Sequence, residues 1–93
     1  MLNIDFSSQA IKFLKKISGK PAKQIKKKLE ELRINPYPQD SAKLVGYPFY
    51  RVTVGEYRII YRVNNIGDTL EIKICAKRND DEAYKMLARQ QGK

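Results

Sequence analysis

Residues 49–61 read Phe49-Tyr50-Arg51-Val52-Thr53-Val54-Gly55-Glu56-Tyr57-Arg58-Ile59-Ile60-Tyr61, and their alternation decides the fold class. Tyr50, Val52 and Val54 alternate with Arg51 and Thr53; Tyr57, Ile59, Tyr61 and Val63 alternate with Arg58, Ile60 and Arg62. A period of two is that of a half-buried strand, and Gly55-Glu56 between the runs is a tight connection. A second turn, Asn64-Asn65-Ile66-Gly67-Asp68, leads to a run with Leu70, Ile72, Ile74 and Ala76 on one face and Glu71, Lys73, Cys75 and Lys77 on the other. Three such strands in succession predict an antiparallel meander. Its solvated face then carries Arg51, Thr53, Arg58 and Arg62.

Upstream the period lengthens. Leu2 to Phe6 is a short, partly alternating strand, and Ser7 or Ser8 suits the N-cap of a helix. Ile11, Leu14 and Ile17 predict the inward face of that helix, and Ser18-Gly19 breaks it. Pro21 fits the first turn of a second helix, with Ala22, Ile25, Leu29 and Leu32 at helical spacing. The two prolines of Asn35-Pro36-Tyr37-Pro38-Gln39-Asp40-Ser41 make the connection to the meander a loop. Downstream, a last helix is expected to begin near Asn79 or Asp80 and to run through Ala83, Met86 and Leu87 towards Gly92. The order β-α-α-β-β-β-α is that of an α+β domain: a small antiparallel sheet with a helical hairpin on one face and a C-terminal helix. It spans residues 1–93 as a single domain.

Composition narrows the chemistry. The 93 residues hold 19 Lys and Arg, 10 Asp and Glu, no histidine and one cysteine, a net charge of +9. Without histidine, and with Cys75 alone, imidazole acid–base pairs, His/Cys metal clusters and Cys–His nucleophile pairs are excluded within the chain. A domain this small has no room for a large enclosed cofactor pocket, and no cofactor or metal is expected. Cys75 has no partner for an intramolecular disulfide, which points to a reducing, cytoplasmic setting. Residues 1–16 carry Asp5 and no apolar stretch of signal or membrane length, so neither secretion nor a membrane span is expected. Between Lys12 and Arg33 nine Lys or Arg stand against Glu30 and Glu31, a net +7 on the helical hairpin. Such a surface is either a solvated helix face or a footprint for phosphate or an acidic partner.

Lys43-Leu44-Val45-Gly46, the run from Phe49 to Tyr61, then Lys77-Arg78 and, six positions beyond Arg78, Tyr84 resemble the RelE family of the RelE/ParE toxins, over nearly the whole chain. The resemblance implies a type II toxin that occupies the ribosomal A site and cleaves messenger RNA there, until an acidic, RelB-like antitoxin wraps it. It also implies roles. Arg58, Arg78 and Tyr84 match the catalytic set, as the phosphate-binding arginine, the basic residue given an acid or charge-stabilising role, and the tyrosine that activates the nucleophile. Arg51 and Lys77 match basic substrate-binding positions, and Thr53 stands where well-known members have a second lysine. Two other readings stand beside it: a ParE-like inhibitor of DNA gyrase, which shares the fold, and a non-catalytic basic RNA-binding module. Taken by itself, Tyr84 beside Ala83 and Leu87 also reads as an aromatic packed on the sheet.

The chemistry is consistent without metal. RNA carries its own nucleophile, the 2′-hydroxyl, so a protein need only align it, remove its proton and neutralise the phosphorane. A free tyrosine has a pKa of about 10, and nearby arginines favour its phenolate. Arginine holds its proton too tightly to be a ready acid, so Arg78 is assigned charge stabilisation.

Overall fold

The computed structural model describes residues 1–78 and 82–92. Its elements are β1 (Asn3–Phe6), α1 (Ser8–Lys15), α2 (Gly19–Ile34), β2 (Ala42–Lys43), β3 (Tyr50–Val54), β4 (Tyr57–Asn64), β5 (Thr69–Lys77) and α3 (Glu82–Gly92). The α+β order read from the sequence is the order found, with the two-residue β2 added to it. The proposed start of α3 at Asn79 or Asp80 lies outside the described residues.

Ser7 caps α1, its Oγ accepting from the Ala10 N–H at 3.1 Å. The inward stripe of α1 is Ala10, Phe13 and Leu14, continued by Ile17 just beyond its end, whereas Ile11, expected inside, is exposed. Successive helical residues turn about 100°, so a set at spacings three, one and three stays on one face while Ile11 lies a quarter-turn away. On α2 the expected residues do face inward: Ile25, Leu29 and Leu32 are buried and Ala22 is half-buried.

The strands form one sheet in the order β1-β5-β4-β3-β2. Only β1 runs parallel to its neighbour, from Asn3 opposite Thr69 to Phe6 opposite Ile72, which makes the sheet mixed rather than wholly antiparallel. Gly55 turns the chain from β3 into β4 at φ +59, a left-handed conformation that glycine adopts without Cβ strain.

The register of β4 against β5 breaks once. Ile60 faces Ile74, but Tyr61 faces Ile72, leaving Lys73 as an extra residue in β5. A bulge of this kind shifts the alternation by one. Leu70 and Ile72 therefore point into the core beneath α1 and α2, together with Cys75, while Ile74 and Ala76 point to the opposite face. Simple alternation had placed Leu70, Ile72, Ile74 and Ala76 together, and the bulge corrects it. It also corrects the picture of a solvated second face. There Leu44, Phe49, Ile60, Ile74 and Ala76 are buried with Ala83 and Leu87 of α3, forming a second core.

Tyr61 ties the double-proline loop to the first core. Its side chain is fully buried and its hydroxyl donates to the Pro36 carbonyl at 2.7 Å, while Tyr37 packs on Tyr50 and Tyr50 on Tyr61. Burial pushes the Tyr61 hydroxyl up to about 12. Because the folded value lies above the unfolded value of about 10, this contribution is full below pH ~10 and is lost as pH rises from there through 12. Tyr61→Phe is expected to lower stability by about 1 kcal/mol near neutrality by removing the donor to Pro36. Urea denaturation from about pH 8 to about pH 11 should show the gap between the two proteins narrowing as pH rises.

Candidate active site

Residues directly opposite in an antiparallel pair share a face of the sheet. Arg51 is opposite Ile60, which is opposite Ile74; Thr53 is opposite Arg58, which is opposite Ala76. Since Ile60, Ile74 and Ala76 lie in the second core, these two cross-strand rows put Arg51, Thr53 and Arg58 on the α3 face. All three are half-buried. Tyr84 reaches the same face from α3, half-buried against that core, and the Arg58 guanidinium lies over its ring at 5.1 Å from the centroid. A cation over an aromatic face is attracted by the ring quadrupole, so each side chain fixes the other.

Arg78 continues the ladder one residue beyond β5: its N–H donates to the Glu56 carbonyl at 2.9 Å. Its side chain is exposed at that strand end. Lys77 turns away from the α3 face. It is opposite Tyr57, whose ring packs edge-on against Phe13 of α1 at 5.6 Å, so Lys77 emerges on the hairpin side of the sheet. Four of the six candidate residues, Arg51, Thr53, Arg58 and Tyr84, thus gather on the α3 side, Arg78 stands exposed at the end of β5, and Lys77 emerges on the other side.

Arg62 also belongs to this face, but its charge is committed. Its Nε donates to Glu71 Oε1 at 2.7 Å and its guanidinium stacks on Phe49 at 5.5 Å, while Asn64 Nδ2 donates to the other Glu71 oxygen at 3.2 Å. The hydrogen bond from Arg62 holds the Glu71 carboxyl below the ordinary carboxylate range. Sequence reasoning grouped Arg62 with the basic surface and missed Glu71. The signal was present in the turn at 64–68, which sets the two residues opposite one another before the bulge intervenes.

Cys75 is buried in the first core, and burial pushes its thiol up to about 12, so it remains a protonated, inert packing group. Among the described residues no three His, Cys, Asp or Glu side chains cluster as metal ligands would, and no helix is long and apolar enough to cross a membrane.

Residues 4–80 match the family described as the ParE toxin of type II toxin-antitoxin system, parDE. The chain belongs to the RelE/ParE toxins. Toxin RelE3 of Methanocaldococcus jannaschii is 36% identical over 74 residues, covering 74% of this chain and 82% of that protein. The isolated E. coli RelE toxin superposes with a TM-score of 0.76 at 26% identity, over 97% of this chain and 98% of that one. The toxin in the RelB-RelE antitoxin-toxin complex from Methanococcus jannaschii superposes at 0.64 with 33% identity, over 85% of this chain and 95% of that one. The five-stranded sheet with its three helices is therefore the RelE fold.

Glu71→Gln tests the division of charge on this face. The depressed carboxyl of Glu71 contributes stability above its unfolded pKa of about 4.3 and loses it as pH falls through the lower folded value. Both side chains of the pair remain partly in solvent, so the loss near neutrality is expected to be about 1 kcal/mol or less. Thermal denaturation should show a flatter acid limb for the variant below about pH 4.3.

Proposed function

We propose that this toxin is a ribosome-dependent mRNA endonuclease that cleaves by attack of the RNA's own 2′-hydroxyl. The observation that carries the reading is the Arg58 guanidinium over the Tyr84 ring at 5.1 Å, with Arg51 and Thr53 on the adjoining strand. In this reading the Tyr84 hydroxyl takes the 2′-proton. The 2′-oxygen then forms its bond to phosphorus, the bond to the 5′-oxygen breaks, and the departing oxygen takes up a proton. The products are a 2′,3′-cyclic phosphate and a 5′-hydroxyl end. Arg58 and Arg78 neutralise the charge that grows on the phosphorane, and Arg51 and Thr53 hold the flanking backbone. Lys77, across the sheet, adds charge at the strand end and takes no part at the reacting atoms. Orientation is worth about 7–11 kcal/mol, more than a proton-transfer group supplies. An open sheet face does not bend RNA by itself, which is why the ribosome is assigned the task of holding the message in line. The family match is to ParE toxins, so a gyrase inhibitor is the second reading; the pairing of Tyr84 with Arg58 favours the nuclease.

We also propose an acidic antitoxin as partner, as the Methanococcus jannaschii relative has RelB. The hairpin carries its net +7 beside a groove of about 230 Å³ lined by Phe6, Leu14, Ala22, Ile25, Lys26 and Leu29. An amphipathic acidic segment would fill it, apolar side inward and acids against the lysines.

In single-turnover assays on programmed ribosomes, Tyr84→Phe should slow cleavage by on the order of 10²-fold while leaving affinity unchanged, because it keeps every positive charge. Arg58→Ala should weaken RNA binding and make its log–log salt slope shallower by about 0.7. Intact message together with inhibited DNA supercoiling would sink the nuclease reading; a Tyr84→Phe protein that cuts at the parental rate would remove Tyr84 from the mechanism. Reversing the charge of Lys23, Lys26 and Lys27 together should weaken the antitoxin complex at least tenfold by titration calorimetry, and unchanged affinity would place the partner elsewhere.

A further inference from the structure

The first strand is too short for its neighbour. β1 pairs with β5 only as far as Ile72, and β5 runs on to Lys77. Buried backbone groups along that remaining edge need partners, and side chains at the start of α1 supply them. The Ser7 N–H donates to the Ile72 carbonyl at 2.9 Å, and the Ser7 hydroxyl donates to the carbonyl of Lys73, the bulge residue, at 2.6 Å. Gln9 then takes the next position. Its Oε1 accepts from the Cys75 N–H at 2.9 Å and its Nε2 donates to the Cys75 carbonyl at 2.8 Å. This is the double exchange by which a residue on a facing strand pairs in a ladder.

A carboxamide has two N–H donors, and both lie in its plane. With one N–H and the oxygen fixed by Cys75, the second N–H has no freedom left to choose its direction. It meets Met86 Sδ at 3.3 Å. Met86 is two residues beyond Tyr84, so one side chain joins α1, β5 and the helix that carries the candidate base. Among the described residues, Ala83 and Leu87 also hold α3 to the sheet through apolar surfaces, which attract without fixing direction, and the Tyr84 ring lies under the Arg58 guanidinium. A slip of one residue along a helix moves a side chain by about 1.5 Å and swings it by about 100°. Misplacement by about 1 Å can cost on the order of 10²-fold in rate.

We propose that Gln9 is a positioning residue: it sets the register of α3 on the sheet through Met86 and so holds the Tyr84 ring against Arg58. The effect on cleavage rests on Tyr84 acting as the base, whereas the effect on Tyr84's position does not, and the two are measured separately. Met86→Leu conserves the packing volume and leaves the Gln9–Cys75 pair intact while removing the acceptor. With 13C-labelled tyrosine, the Tyr84 ring signals of this variant should shift and their NOEs to Arg58 weaken, with the other five tyrosines unmoved. On ribosomes, single-turnover cleavage at saturation should fall about threefold to tenfold at unchanged half-saturation, and the same substitution in a Tyr84→Phe background should cost less than about twofold. Met86→Gln, which offers an oxygen to the same N–H, should restore both readings, and Gln9→Glu, which loses the donors, should not. Should Gln9→Glu fail to fold, Met86→Leu decides. Tyr84 signals and Arg58 NOEs identical to the parent in Met86→Leu overturn the proposal. If the parent protein cuts no ribosome-bound message, the nuclease reading fails while the NMR comparison still decides the role of Gln9.

Discussion

One inserted residue in β5 governs what the sheet can hold. At Lys73 the ladder gains an extra position, and every side chain beyond it changes face. Leu70 and Ile72 serve the helical hairpin; Ile74 and Ala76 serve α3. A strand with regular alternation would give the hairpin a continuous apolar seam and leave α3 a polar surface. With the bulge, a single strand seats a helix on each side of the sheet at different points along its length. The Ser7 hydroxyl bound to the Lys73 carbonyl secures this irregularity, so the cap of α1 and the bulge of β5 are one structural unit.

The second core explains why the candidate site has its composition. Arg51, Thr53 and Arg58 stand on the same face as Ile60, Ile74 and Ala76, so their charged ends lie at the margin of an apolar floor. Charges at such a margin are less screened than charges in bulk water and interact more strongly with one another and with a phosphate. Arg62 shows the opposite arrangement on the same strand. Bound to Glu71 and stacked on Phe49, it serves the protein itself. Along β4 the face thus holds the Arg62–Glu71 pair towards one end and Arg58 with Tyr84 towards the other.

Much of this was legible in the residues because strand alternation is a local property. The parity of Tyr50 to Val54 and of Tyr57 to Val63 places Arg51, Thr53 and Arg58 on one face, and the register bears that placement out. What could not be read depends on partners distant in sequence. The bulge has no compositional mark, because Lys73 is an ordinary strand residue until its pairing is known. The side on which Lys77 emerges follows from that bulge. Ile11 is more apolar than Ala10, yet the smaller residue is buried, since β5 lies where it allows close approach of α1. Nothing in the sequence marks Gln9, whose pairing with Cys75 depends on the shortness of β1.

The parallel pairing of β1 with β5 carries a consequence for the order of events in the cell. Ser7 finds its acceptor 66 residues later in the chain. During synthesis β1 and the hairpin emerge first, with no sheet to lie on, and the central strand that unites both cores is made long afterwards. Closure of the sheet, burial of the apolar sides of α1 and α2 and the seating of α3 are deferred to one late step, when β5 has cleared the exit tunnel. The face that α3 covers is complete only once β5 has joined the sheet.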